Sequence, residues 1–348
     1  MKRILPALAA LLCVALLAGC GGTTPPVTAE LFAMDTVMTL SATGDGAAEA
    51  IAAAQKEIGR LEELLSRTRD SSEITAVNHS DGRPVPISGE LYVLLETALE
   101  DSAKTGGAFD CTIAPVASAW GFTEAAFRVP PQAELDALLT HVGSGHVTLQ
   151  STADGFFATL EPGTALDLGG IAKGYASDQV ARIFKEHGVE SGVISLGGNV
   201  YARGSKPDGS PWRVAVQDPA DPTGQVGVVE VTEEFAVTSG GYQRHFEENG
   251  KSYHHILDPK TGYPAESGLV SVTILTGNGA RADAFSTALF VMGTDKAIDF
   301  WRERQGQDDA FDMILVTDDG RVLVSPGIAA QFTLEKGASY VCETIHEL

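Results

Sequence analysis

From Glu30 to Thr43 apolar and polar residues alternate, the period of a half-buried strand. From Ala47 the period lengthens. Ile51, Ile58, Leu61 and Leu65 fall on one face and predict a helix over 47–67. A second helix is predicted from Gly89 to Thr105, opened by Ser88 and stopped by Gly106-Gly107, and a third over Pro131–Val142. Ala172, Ala176, Val180, Ile183 and Phe184 repeat at helical spacing, so Ile171–His187 reads as a helix with Gly188 as its stop. Beyond it strands dominate, at 192–197, 199–203, 212–217, 226–232 and 235–238. A hairpin is expected at Asn249-Gly250, where both residues tolerate positive φ. Strand 269–276, helices at 280–292 and 295–304, and a hairpin at Asp319-Gly320 complete the pattern. Short strands in succession without regular βα alternation predict an α+β fold with largely antiparallel sheet. No repeat or linker interrupts 31–348, which reads as one large domain or two intimately packed lobes.

The first residues follow a different rule. Lys2 and Arg3 precede an apolar run from Ile4 to Leu17, too short to span a bilayer comfortably and laid out as a secretory signal. It ends in Leu17-Ala18-Gly19-Cys20, which resembles the lipobox of bacterial lipoproteins, with residues 1–19 removed and Cys20 lipidated. The expected protein is exported and held by lipid on the extracytoplasmic membrane surface, with 20–30 as lipidated cysteine and flexible tether. The formal charge of −22 excludes nucleic-acid binding through phosphate contacts and membrane binding through a basic face. Beyond Cys20 only Cys111 and Cys342 remain. Sequence leaves open whether they pair or are separate thiols.

Candidate chemistry gathers in a few places. Residues 167–178 read D-L-G-G-I-A-K-G-Y-A-S-D. The spacing is not that of a P-loop, but Gly169-Gly170 would open helix 171–187, offering an anion free amides and the helix dipole while Lys173 adds charge. Asp283 and Thr287 are four apart on a predicted helix, so both oxygens share a face and suit a hard cation such as Mg²⁺; such a pair alone is more often a solvated face, but here Ala284, Ala288 and Leu289 around it read as buried. His254 and His255 close a strand, and alternation sends them to opposite faces. One then belongs to core or solvent, and the other is free to face a cleft as base or hydrogen-bond donor. Gly106-Gly107-Ala108-Phe109-Asp110 and Thr238-Ser239-Gly240-Gly241-Tyr242 are glycine-rich turns that serve either as plain turns or as close-approach surfaces for a polyphosphate or planar ring.

These pieces, in this order, resemble the ApbE family of FAD:protein FMN transferases over roughly residues 31–330. The likeness is carried by Met34-Asp35-Thr36, Ser72-Glu73-Ile74 with Asn78, G-G-A-F-D-C-T-I-A-P with Trp120-Gly121-Phe122, and D-L-G-G-I-A-K-G-Y-A-S-D. Further along stand Ser195-Leu196-Gly197-Gly198-Asn199, Trp212 with Asp218-Pro219, T-S-G-G-Y-Q-R, H-I-L-D-P-K-T-G-Y-P and A-D-A-F-S-T-A. The resemblance implies Mg²⁺-dependent transfer of the FMN half of FAD to a threonine or serine hydroxyl of a target flavoprotein, with release of AMP. It implies metal ligation by Asp283, Thr287 and the Gly170 carbonyl. It also implies an FAD pocket of Met34, Arg69, Ala108, Phe109, Asp110, Asp167, Lys173, His255 and Ile256, the opening glycines serving the FAD pyrophosphate. His255 is the candidate base, or less directly a transient nucleophile. The acceptor is implied to be a separate protein, such as a subunit of an Rnf- or Nqr-type membrane redox complex or an exported flavoprotein. Asp35 stands where the family usually has glycine, Cys111 where proline is common, and Thr68 where an aromatic residue is frequent. Two alternatives remain: an FAD pyrophosphatase, with water as acceptor, and a non-catalytic FAD-binding lipoprotein.

Overall fold

In the computed structural model, which describes residues 25–122 and 126–346, the alternation that begins near Glu30 folds back on itself. Strands Val27–Ala33 and Thr36–Thr43 pair antiparallel, with Ala33 opposite Thr36. The one strand expected over 30–43 is therefore a hairpin. Its turn is Met34-Asp35, with φ of 47° and 63°. Left-handed backbone favours glycine, and aspartate tolerates it better than most residues, so the turn carries no Asn-Gly signature to betray it. The signal segment and Cys20 lie outside the described residues.

Among the described residues there are eight α-helices: α1 Ala47–Leu65, α2 Glu73–Asn78, α3 Gly89–Lys104, α4 Ala114–Trp120, α5 Gln132–Leu139, α6 Ala172–Glu186, α7 Gly279–Met292 and α8 Thr294–Arg304. The six long enough to show a period fall where the pattern places them. Short α2 and α4 were not expected, because six or seven residues display barely two turns of periodicity. Local capping fixes them instead. Ser72 Oγ accepts from Thr75 N–H at 2.9 Å to open α2, and Gly121, at φ 75°, ends α4.

The main sheet has nine strands in the order 27–33, 36–43, 191–196, 199–203, 234–240, 269–276, 312–317, 321–324 and 341–344. Every neighbouring pair is antiparallel except the last, which is parallel. Helices α1, α6 and α7 cover one face, where Ile58, Leu61, Phe184, Ala284 and Leu289 join one continuous core. Each large side chain removed from water there contributes about 1.5–3 kcal/mol. A three-stranded sheet of Trp212–Asp218, Asp221–Val231 and Phe332–Leu334 packs on the other face through Val216, Val229 and Val316. Strands 85–87, 147–152 and 155–160 form a further small sheet that the sequence pattern did not reveal, and the hairpin at Asn249-Gly250 forms as expected. Cys111 is buried and Cys342 exposed, both free thiols.

The packing of α6 on α7 positions the chemistry. Helix α7 is buried on nearly all sides and rich in alanine, which lets its backbone approach its neighbours closely. The contact is tightest at Gly174, where an added Cβ would sit 2.1 Å from the carbonyl oxygen of Gly279. Gly174→Ala is therefore expected to wedge α6 from α7 and lower stability by about 2 kcal/mol, within the usual range for overpacking. The unfolding midpoint in urea reads this directly. An unshifted midpoint would show that the two helices separate freely.

Candidate active site

A single cleft of about 740 Å³ opens where the two glycine-rich stretches, the Met34-Asp35 turn, the loop after α1 and one face of α7 converge. It is lined by every pocket and metal residue anticipated from the sequence: Met34, Arg69, Ala108, Phe109, Asp110, Asp167, Gly170, Lys173, His255, Ile256, Asp283 and Thr287. Segments more than a hundred residues apart are thereby brought together.

The oxygen cluster is built by α7 against the start of α6. Asp283 is 3% exposed, and its Oδ2 accepts from Gly174 N–H at 2.9 Å with Lys173 Nζ 3.8 Å away. One helical turn on, Thr287 Oγ1 lies 3.4 Å from Ser239 Oγ, which also bonds Ser286 Oγ at 2.8 Å. Gly170 completes the group: a Cβ placed on it would come within 3.5 Å of Thr287 Oγ1 and 3.2 Å of the Phe109 ring. A side chain there would crowd the Phe109 ring and narrow that cradle. One carboxylate with neutral oxygens suits a hard cation that keeps waters and shares substrate phosphates; no group of three His, Cys, Asp or Glu side chains that could hold a metal is found among the described residues.

The helix-start anion site is more occupied than the sequence suggested. Gly169 N–H donates to Asp167 Oδ1 at 2.8 Å, Gly174 N–H is held by Asp283, and Lys173 Nζ donates to the Gly169 carbonyl at 3.0 Å. A carboxylate two residues upstream fills the glycine amide before any ligand arrives. Asp167 is itself paired through Oδ2 with Arg67 Nε at 3.0 Å, and its N–H donates to the Cys111 carbonyl at 2.7 Å.

Other anticipated residues line the cleft in fixed poses. The Asp110 carboxylate closes its own turn, accepting from Thr112 N–H at 2.9 Å and Thr112 Oγ1 at 2.6 Å. Arg69 pairs with Glu63 and, at 2.6 Å, with Glu62, whose other oxygen accepts from Met34 N–H at 2.8 Å. That chain ties the loop after α1 to the hairpin turn. Arg67 and Arg244 also line the cleft and were not anticipated as pocket residues; nothing local marks Arg67, whereas Arg244 closes the T-S-G-G-Y-Q-R motif. Arg244 pairs with Asp35 across the cleft mouth, so the residue replacing the family's glycine gains a partner 209 positions away.

The two histidines separate as alternation required. His254 turns inward, its ring edge-on to Phe290 and its Nε2 3.2 Å from the Ala265 carbonyl. Burial lowers its pKa. His255 lines the cleft, and its backbone N–H and its Nδ1 both lie 3.1 Å from the Arg244 carbonyl. A carbonyl only accepts, so Nδ1 carries the proton and Nε2 keeps its lone pair. Burial pushes the His255 pKa down to about 3, with the charges of Arg244 and Lys173 adding to the effect. The ring is neutral across the physiological range.

Carboxylate-paired arginines, Lys173, an oxygen cluster and a neutral imidazole around one cleft suit a substrate that carries phosphate. Residues 34–311 match the sequence profile of the ApbE family. The FAD:protein FMN transferase of Treponema pallidum (strain Nichols) is 37% identical over 317 residues, covering 83% of this chain and 86% of its own. Its counterpart in Escherichia coli (strain K12) is 34% identical over 248 residues, 70% of this chain and 71% of its own. The ApbE protein of Thermotoga maritima superposes with a TM-score of 0.80 at 30% identity, over 87% of this chain and 97% of its own. The flavinyl transferase ApbE of Pseudomonas stutzeri gives 0.75 at 30% identity, over 86% and 94%. This chain belongs to the ApbE family, and so to the flavin transferases.

Proposed function

We propose that the chain moves the FMN half of FAD onto a threonine or serine hydroxyl of a separate flavoprotein and releases AMP. The observation that carries this reading is the convergence of Gly170, Lys173, His255, Asp283 and Thr287 on one cleft in a chain of this family. Asp283, Thr287 and the Gly170 carbonyl would hold Mg²⁺, which when bound supplies charge neutralisation at the pyrophosphate. Lys173 brings a fixed positive charge to the same oxygens. In the transfer the acceptor oxygen bonds the FMN-side phosphorus, the bond from that phosphorus to the bridging oxygen breaks, and AMP leaves. The hydroxyl proton passes to His255 Nε2, the only ring nitrogen left with a lone pair. The Arg244 carbonyl keeps that nitrogen bare and fixes the ring plane.

Incubating the purified chain with FAD, Mg²⁺ and a candidate acceptor should give covalent flavin on the acceptor, seen as in-gel fluorescence and an added FMN mass. Free FMN with an unmodified acceptor would replace this reading by the pyrophosphatase, and unchanged FAD by the binding protein. Acceptors of the Rnf and Nqr kind, or exported flavoproteins, are the natural first choices.

The site is proposed to work outside the cytoplasm, held to the membrane by lipid on Cys20. Cys20→Ser is expected to leave a folded chain in the soluble exported fraction, because no helix among the described residues is long and apolar enough to cross a membrane. Retention of the variant in the membrane fraction after a high-salt wash would overturn the anchor.

A further inference from the structure

The last residue of D-L-G-G-I-A-K-G-Y-A-S-D has no part in the cleft, yet it makes two of the best-formed contacts near it. Asp178 lies one turn beyond Gly174 on α6. Its Oδ1 accepts from Gly279 N–H at 2.7 Å and its Oδ2 from Ala280 N–H at 2.8 Å, the first two amides of α7. Asn278 takes the next, its Oδ1 accepting from Arg281 N–H at 2.9 Å, and its carbonyl accepts from Ala282 N–H at 3.0 Å. Three of the amides that a helix start leaves unpaired are thus filled, two of them by a side chain from another helix. Asn278 alone is an ordinary local cap.

The contact is reciprocal. Asp178 of α6 holds the first turn of α7, and Asp283 of α7 accepts from the Gly174 amide in the first turn of α6. With Gly174 permitting near-contact of the backbones, the two carboxylates fix both the rotation of α7 and its position along α6. That register sets where Asp283 stands relative to Gly170, two residues before α6.

We propose that Asp178 is the positioning residue for the cation site, holding α7 in the one register that places the Asp283 carboxylate beside Thr287 and the Gly170 carbonyl. It touches neither cation nor substrate. The inference rests on the reading of Asp283, Thr287 and Gly170 as a cation site. Groups that orient a ligand from behind typically change metal affinity 10- to 100-fold when removed.

The test titrates Mn²⁺ into the full chain in detergent with FAD at a fixed concentration, against a protein-free FAD control, and follows the electron paramagnetic resonance signal of free Mn²⁺, for wild type, Asp178→Asn and Asp178→Ala. Far-UV circular dichroism and metal-free melting are measured in parallel. Asp178→Ala is expected to weaken Mn²⁺ binding roughly 10- to 100-fold, and Asp178→Asn less, because an amide keeps one of the two acceptor oxygens. Melting temperatures that fall while Mn²⁺ affinity stays at the wild-type value would overturn the proposal and leave Asp178 a helix cap only. Loss of folded structure in both variants would overturn it equally, by giving Asp178 a global role. Failure of the wild type to bind Mn²⁺ would instead refute the cation site itself.

Discussion

Asp283→Ala is expected to lower FMN transfer by about 10³-fold, the largest loss of any single change in the cleft. Metal assistance at a phosphorus centre supplies several kcal/mol, and each 1.36 kcal/mol is tenfold in rate. The change removes the only carboxylate in the oxygen cluster and also frees the Gly174 amide that it caps. Thr287→Ala should be far milder. A hydroxyl is a weaker ligand than a carboxylate, and Mg²⁺ readily keeps a water in its place. Titrating activity against Mg²⁺ separates the two: Thr287→Ala should recover much of its rate at high Mg²⁺, and Asp283→Ala should need far more metal or never recover. Wild-type Mg²⁺ dependence in both variants would remove these oxygens from the site.

His255→Ala should rank second, slowing transfer about 10²-fold with FAD still bound, the low end of what a positioned base contributes. The low end follows from the structure. A base held near pKa 3 by burial is reliably unprotonated but a poor proton acceptor. The same burial fixes the sign of the pH dependence. Because the folded-state pKa lies far below the ordinary histidine value, protonation of His255 should contribute no fall in rate between pH 8 and pH 5. A wild-type acid limb centred near pH 6.5 that disappears in His255→Ala would contradict this. If the variant loses FAD and keeps its rate at saturating substrate, His255 is a binding residue only.

Much of the site could be read in advance because its residues sit at structurally legible places. Asp283 and Thr287 lie one turn apart on a helix whose period is clear, and His254 ends a strand with His255 the next residue, so neighbouring side chains there leave the backbone on opposite sides. The carboxylates defeated the same reasoning. Asp167 onto Gly169 N–H and Asp110 onto Thr112 N–H are Asx turns, a local possibility that many aspartates share, and nothing local says that Arg67 reaches Asp167 from another loop. The anion site expected at Gly169-Gly170 shrank accordingly, leaving Lys173 and the oxygen cluster as the groups able to meet a pyrophosphate. The Met34-Asp35 turn was missed for a related reason, since its left-handed backbone is stabilised by Glu62 across the cleft rather than by glycine.

By itself the sequence determined the α+β class, the long helices, the order of the motifs and the residue types available for chemistry. These follow from periodicity and from glycine, proline and capping signals, all of which act within a few residues. Only the tertiary structure decided which amides remain free, which tautomer His255 holds, how Asp35 meets Arg244, and how α6 and α7 lock in register through Gly174, Asp178 and Asp283. Apart from the Asp167–Gly169 turn, those outcomes depend on contacts between groups distant in the chain. A carboxylate or an amide has many partners of equal chemistry in the sequence, and packing alone selects one.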